Sequence, residues 1–165
     1  MADGGASTFI MLITGLLISS SVSALLISEW SSTAKVAQVQ QRGAQLNSEL
    51  DIEFAGDPMM VDFDDSTLPE TITFYIQNSG LHPMDESKMT VVVDGVEPTS
   101  VSVSLVGTPT PSSWVPNELA MIVVEYNPAS GYSDGDDVAL YAIATSEVIG
   151  GLSSSASMSI EVRLS

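Results

Sequence analysis

Hydrophobic and polar positions change their period once along this chain, near Leu50. Before that point the pattern is helical. Residues 4–28, GGASTFIMLITGLLISSSVSALLIS, carry no charged side chain. A helix rises about 1.5 Å per residue, so roughly 20 residues cross a bilayer core of about 30 Å. The stretch is therefore long enough to span a membrane. From Glu29 to Leu50 there is no proline, and Val36, Val39, Gly43, Leu46 and Leu50 follow one another at intervals of three and four. That is the spacing of a heptad seam. It predicts a helical neck whose stripe packs either in an oligomeric stalk or on the chain's own globular domain. Trp30, just past the apolar block, suits an interfacial anchor.

After Leu50 the period becomes two. Leu50, Ile52 and Phe54 alternate with Asp51 and Glu53, and Gly56-Asp57-Pro58 ends the run. Similar alternation or β-rich runs predict strands at 71–77, 89–93, 101–105, 119–126, 138–145 and 155–165. Asp62, Asp64 and Asp65 read as loop, Asn78-Ser79-Gly80 as a turn, and Asp94-Gly95 as a hairpin turn into Val96. The Pro-rich stretch 108–116, Asn127-Pro128 and Gly131–Asp137 read as loops. Seven or so short strands with turns between them predict an antiparallel immunoglobulin-like β-sandwich. The expected fold is α+β, mainly β. It comprises a short N-terminus and transmembrane helix (1–28), a helical neck (29–50) and an acidic sandwich (51–165), with no low-complexity linker.

Charge sharpens this division. The formal net charge over 165 residues is -17. Of the 21 acidic residues only Asp3 and Glu29 precede Glu49, offset by Lys35 and Arg42; the other 19 face only Lys88 and Arg163. All of the excess sits on the distal domain. Such a field repels nucleic acid and anionic lipid, and it suits life in high salt, where self-repulsion is screened. The chain has no cysteine, which excludes disulfides and thiolate metal sites.

Candidate chemistry is sparse. His82 is the one histidine and lies in a turn, so no triad or His-pair metal site can be assembled around it. No phosphate-binding glycine loop is present. No enzyme activity and no cofactor are expected. Asp134, Asp136 and Asp137 offer clustered hard oxygens that could take calcium, but Asp and Gly are also ordinary turn residues. Trp114, in the Pro-rich stretch, either anchors a partner contact or plugs the end of the sandwich.

In the apolar helix Gly15, Ser19 and Ser23 recur four apart, a small-xxx-small spacing that lets helices approach closely. With Phe9 and Leu26 they form the expected membrane or oligomer face. The segment has three readings: a permanent transmembrane helix, a secretory signal cut after Ala24, or a pilin-type helix that polymerises after processing near Gly4-Gly5-Ala6.

ELDIEFAGDP (49–58), TITFYIQNSG (71–80) and MTVVVDG (89–95), with Trp114-x-Pro-Asn-Glu-Leu119 and Gly135-Asp-Asp137, make the chain resemble the G protein family of the archaellum, the archaeal swimming motor. That resemblance implies a membrane-anchored stator with its sandwich outside the cell membrane. It also implies partners: the related archaellum F protein and a surface-layer protein, alongside self-association. The alternative is a pilin- or archaellin-like filament subunit, extracellular, with its N-terminal helix in the filament core.

Overall fold

The computed structural model describes residues 3–107, 113–127 and 129–165. One helix, α1 (Asp3–Glu49), precedes eight strands: β1 (Ile52–Ala55), β2 (Asp62–Asp64), β3 (Glu70–Asn78), β4 (Met84–Val93), β5 (Ser100–Leu105), β6 (Leu119–Tyr126), β7 (Asp137–Ser146) and β8 (Ser155–Arg163). Two compact units divide between Arg42 and Gly43, so the last turns of α1 belong with the strands.

The strands form two antiparallel sheets, one with the path β1-β3-β6-β5 and β2 added beside β3, the other ordered β4-β7-β8. This is the strand order of an immunoglobulin constant-type sandwich. Alternation decides which side chains face inward. On β3, Ile72, Phe74 and Ile76 are buried while Thr71, Thr73 and Gln77 are half-buried and Tyr75 is exposed. Ile122 and Val124 of β6, Val91 and Val93 of β4, and Leu140 and Ala142 of β7 close the same core. A parallel bridge joins Val61 to Leu164.

Local chemistry fixes the corners. Asp94 and Gly95 both have positive φ, 49° and 78°, and Val93 and Val96 bond each other in both directions across them. That is a two-residue primed turn. The expected hairpin does not follow. β5 leaves for the other sheet and pairs with β6, Ser100 opposite Glu125. Pro98 lacks the N–H that would extend the ladder beside β4. The expected loop at Asp62–Asp64 is also corrected. It is β2, paired with β3, and its two aspartates hid the strand signal. β4 begins at Met84, earlier than expected, because its register shifts between Asp85 and Thr90 and breaks the alternation.

Two polar side chains, Glu70 and Tyr132, find partners at the sandwich ends. Glu70 is buried and its Oε2 accepts from both Ser130 N and Ser130 Oγ at 2.7 Å. Tyr132 packs edge-on to Tyr126, ring centroids 5.8 Å apart, and its hydroxyl donates to Val93 O. Burial pushes the Tyr126 phenol well above its ordinary range.

Candidate assembly surfaces

The first unit is a single helix whose described apolar residues are all exposed. Gly5–Glu49 contains a window of mean hydropathy 2.3, none of it buried, long and apolar enough to cross a membrane. Hydroxyls in this stretch turn back onto the helix: Thr14 Oγ1 donates to Ile10 O, Ser20 and Ser21 to Leu17 O, and Ser23 to Ser19 O. Bonds of this kind satisfy a polar group without water, so the helix suits any apolar surrounding, lipid or other helices.

Phe9, Gly15, Ser19, Ser23 and Leu26 are all exposed. At roughly 100° per residue, Gly15, Ser19 and Ser23 share one face, and Leu26 falls on it one heptad after Ser19. Phe9 lies about a quarter-turn away and is not part of that stripe. Gly15 forms the floor of a shallow dent walled by Met11, Leu12 and Leu16. A Cβ added there would meet nothing within 4 Å, so the dent is open to a neighbour.

The expected neck seam divides. Val36 and Val39 are exposed, Gly43 is half-buried, and Leu46 and Leu50 are buried in the sandwich core. The end of α1 is then pinned through a site that periodicity does not show. Leu81 N donates to Glu49 O at 2.8 Å and Gly80 N to Asp51 O at 3.0 Å. His82 Nε2 lies 2.7 Å from Glu49 Oε2, and Gln45 Nε2 donates to Glu49 Oε1 at 2.9 Å. The Gln45 amide first, and His82 second, hold the Glu49 carboxyl below its ordinary range. Asn78 organises the turn: its Oδ1 accepts from Gly80 N, and its Nδ2 donates to His82 O and Trp114 O. The lone histidine thus has a structural role. Its signal in the sequence was the glycine two residues before it in a short turn after a strand.

Trp114 is fully buried, its indole Nε1 donating to Glu118 O at 2.9 Å, and it bridges to Met84. The expectation of a partner contact at Trp114 is corrected, since no part of the side chain reaches solvent. Residues 108–112 of the Pro-rich stretch, and Pro128, lie outside the described residues. The acidic cluster forms a turn: Ser133 N donates to Asp136 Oδ2, Gly135 N to Leu164 O, and Asp137 faces Arg163 at 4.0 Å. Among the described residues no three His, Cys, Asp or Glu side chains converge as a cation site, Asp134, Asp136 and Asp137 included.

The sequence matches the family model described as archaeal-type flagellin over residues 2–163. The chain belongs to the archaeal-type flagellin family. A solved structure of the archaeal flagellum of Methanospirillum hungatei strain JF1 is similar in fold, with a TM-score of 0.64 and 15% identity, covering 98% of this chain and 94% of that one. A yeast GGA1 GAE domain matches with a TM-score of 0.31 and 15% identity over 69% of this chain and 90% of that one, a likeness that carries no argument. Comparison with curated proteins returns no match.

Membership of the flagellin family keeps the archaellum link and corrects the stator reading: the chain is of the filament-protein kind and is not an enzyme. The resemblance to the G protein family rested on a β-pattern and turns that the two share. The F protein and surface-layer partners were implied by that resemblance alone and lose their support with it. Homo-oligomeric assembly stands, as does a place on the cell surface.

Proposed function

We propose that this chain is a structural subunit of an archaellum filament, with residues 4–28 of α1 packed among the equivalent helices of other copies in the filament core. One observation carries the reading: large apolar residues from Phe9 to Ile27 stand exposed on a helix in a flagellin-family chain. Burying each contributes about 1.5–3 kcal/mol, so the segment as a whole gains on the order of tens of kcal/mol from an apolar surrounding. Neighbouring helices supply that surrounding, and the small residues at Gly15, Ser19 and Ser23 permit their close approach. The acidic sandwich then faces solvent, where its charge keeps filaments apart.

Shearing cells that make the protein tests this. The chain is expected as a main component of the sheared filaments. Its retention in the envelope fraction, with filaments that lack it, overturns the reading. Ser19→Leu narrows the small-residue face and is expected to lower filament yield several-fold; an unchanged yield would place the packing on another face.

A further inference from the structure

The sandwich of this polyanionic chain keeps a charge-free strip at the centre of each of its two outer faces. The first is the outer face of the five-stranded sheet. β6 reads LAMIVVEY and is apolar on both sides: Ala120, Ile122 and Val124 are buried in the core, while Leu119, Met121 and Val123 are half-buried on the outside. An antiparallel sheet with one wet face normally alternates apolar and polar along its strands, and a run apolar on both sides marks a strand covered on both sides. Beside this row stand exposed Tyr75, which pairs with Met121, and Ser104, which pairs with Met121 from the other flank. The acids of this sheet are confined to its rim: Glu53 on β1, Asp62 and Asp64 on β2, and Glu125 near the end of β6.

The second surface is the outer face of the three-stranded sheet. Val92, Tyr141 and Ser159 form one cross-strand row, and Thr90, Ile143 and Ser157 the next. Tyr141 is exposed to the same degree as Tyr75, 41%. Its charges are again peripheral, Asp137, Glu161 and Arg163 at one end and Asp85, Glu86 and Lys88 at the other.

We propose that the outer face of the five-stranded sheet in one subunit docks on the outer face of the three-stranded sheet in the next. The proposal rests on the filament reading above. Three observations commit it to a second copy as occupant. The chain belongs to a family of filament proteins. Residues 49–165 hold 19 acids against two basic residues, so two copies bury no like charges only where both surfaces are neutral. The two charge-free strips lie on opposite sides of the sandwich and differ in their residues: Leu119, Met121 and Val123 with Ser102 and Ser104 on one, Val92, Tyr141 and Ile143 with Thr90, Ser157 and Ser159 on the other. Two different patches generate an open, head-to-tail series of contacts, whereas one self-complementary patch closes a dimer. Tyrosine at the centre of each surface suits an interface, being large, rigid and able to hydrogen-bond at its tip.

The absence of cysteine makes the test direct. Ser104→Cys and Ser157→Cys, each one atom from the native side chain, are introduced singly and together, and sheared filaments are oxidised with copper phenanthroline. The double variant is expected to give a ladder of covalent dimers, trimers and higher multimers on a denaturing gel, and each single variant to stay monomeric. Tyr75→Cys with Tyr141→Cys repeats the measurement at the centres of the two faces. A ladder from either pair supports the contact. Both pairs monomeric within assembled filaments, or dimers from a single variant, overturn it. If the wild-type chain is missing from filaments, the filament reading has failed and the contact with it, a result seen before any thiol is introduced.

Discussion

Glu49, the last residue of α1, and His82, in the turn after β3, meet at 2.7 Å although 33 residues separate them. Both side chains are about a quarter exposed, so the pair is weakened by solvent as surface pairs are. What it adds is direction. The same carboxylate takes a hydrogen bond from Gln45 one turn earlier, which fixes the rotamer that faces the imidazole.

The pH dependence follows from the sign of that shift. The Glu49 carboxyl is held below its ordinary value by Gln45 and then by His82. A carboxyl depressed in the folded state stabilises it above the unfolded pKa, and that contribution is lost as pH falls through the folded pKa. Thermal melting of the full chain in detergent is expected to show wild type above Glu49→Gln at pH 7, with the gap closing below about pH 4. A gap that persists at pH 2 would mean that the side chain acts through packing instead. Asp85, held down by Lys88 and Ser87, and Asp64, held down by Ser66, are expected to behave alike.

Gly80 is irreplaceable for a steric reason. A Cβ there would lie 2.7 Å from Asp51 N, 2.9 Å from Glu49 O and 3.1 Å from Leu50 Cα, all backbone atoms that cannot swing aside. Gly80→Ala is expected to cost about 1–3 kcal/mol, the range for overpacking a tight site. Denaturant titration of the full chain measures it. Gly43→Ala, inside α1 where a Cβ meets nothing within 4 Å, is the opposite case and is expected to stabilise by roughly 0.5–1 kcal/mol.

Trp114 separates packing from hydrogen bonding. Trp114→Ala is expected to destabilise by about 3–5 kcal/mol, as large aromatic truncations do in a core. Trp114→Phe keeps most of the apolar contact and leaves Glu118 O without the indole donor, so roughly 1–2 kcal/mol is expected. Equal losses for the two variants in equilibrium unfolding would show that the hydrogen bond, not the ring, holds this end of the sandwich.

Much of the fold was legible because its strands alternate cleanly. β3 and β8 show the period of two with little interruption, which fixes the side chains that face the core, whereas β7 is apolar nearly throughout and was legible as a β-rich run. β2 was hidden because three residues, two of them aspartate, carry no period. The Asp94-Gly95 turn was legible from local chemistry, but the partner of the strand after it was not, since a turn fixes geometry over four residues and says nothing of which sheet comes next. The neck stripe names no partner. Leu46 and Leu50 enter the core, and Val36 and Val39 do not.

The functional reading went astray at the same kind of point. An apolar helix followed by an acidic sandwich fits a membrane anchor and a filament core equally well, because lipid and neighbouring helices offer the same apolar surrounding. Trp114 stood open between an interface anchor and a plug of the sandwich end, because Pro-rich neighbours decide neither. Composition could not reveal that the chain folds back so that Trp114 N and O pair with Met84.

The grip of Gly80 and Leu81 on Asp51 and Glu49 has a mechanical consequence. It continues the row in which Ile52 faces Asn78, at the head of the β1–β3 ladder. Tension applied along the chain at Glu49 meets these bonds before it reaches the β1–β3 ladder. The load passes into β3, which is flanked by β1 and β2 on one side and β6 on the other. The strand that follows the helix, β1, is an edge strand, so the bonds of Gly80 and Leu81 extend its hold on β3 beyond the four residues of β1 itself.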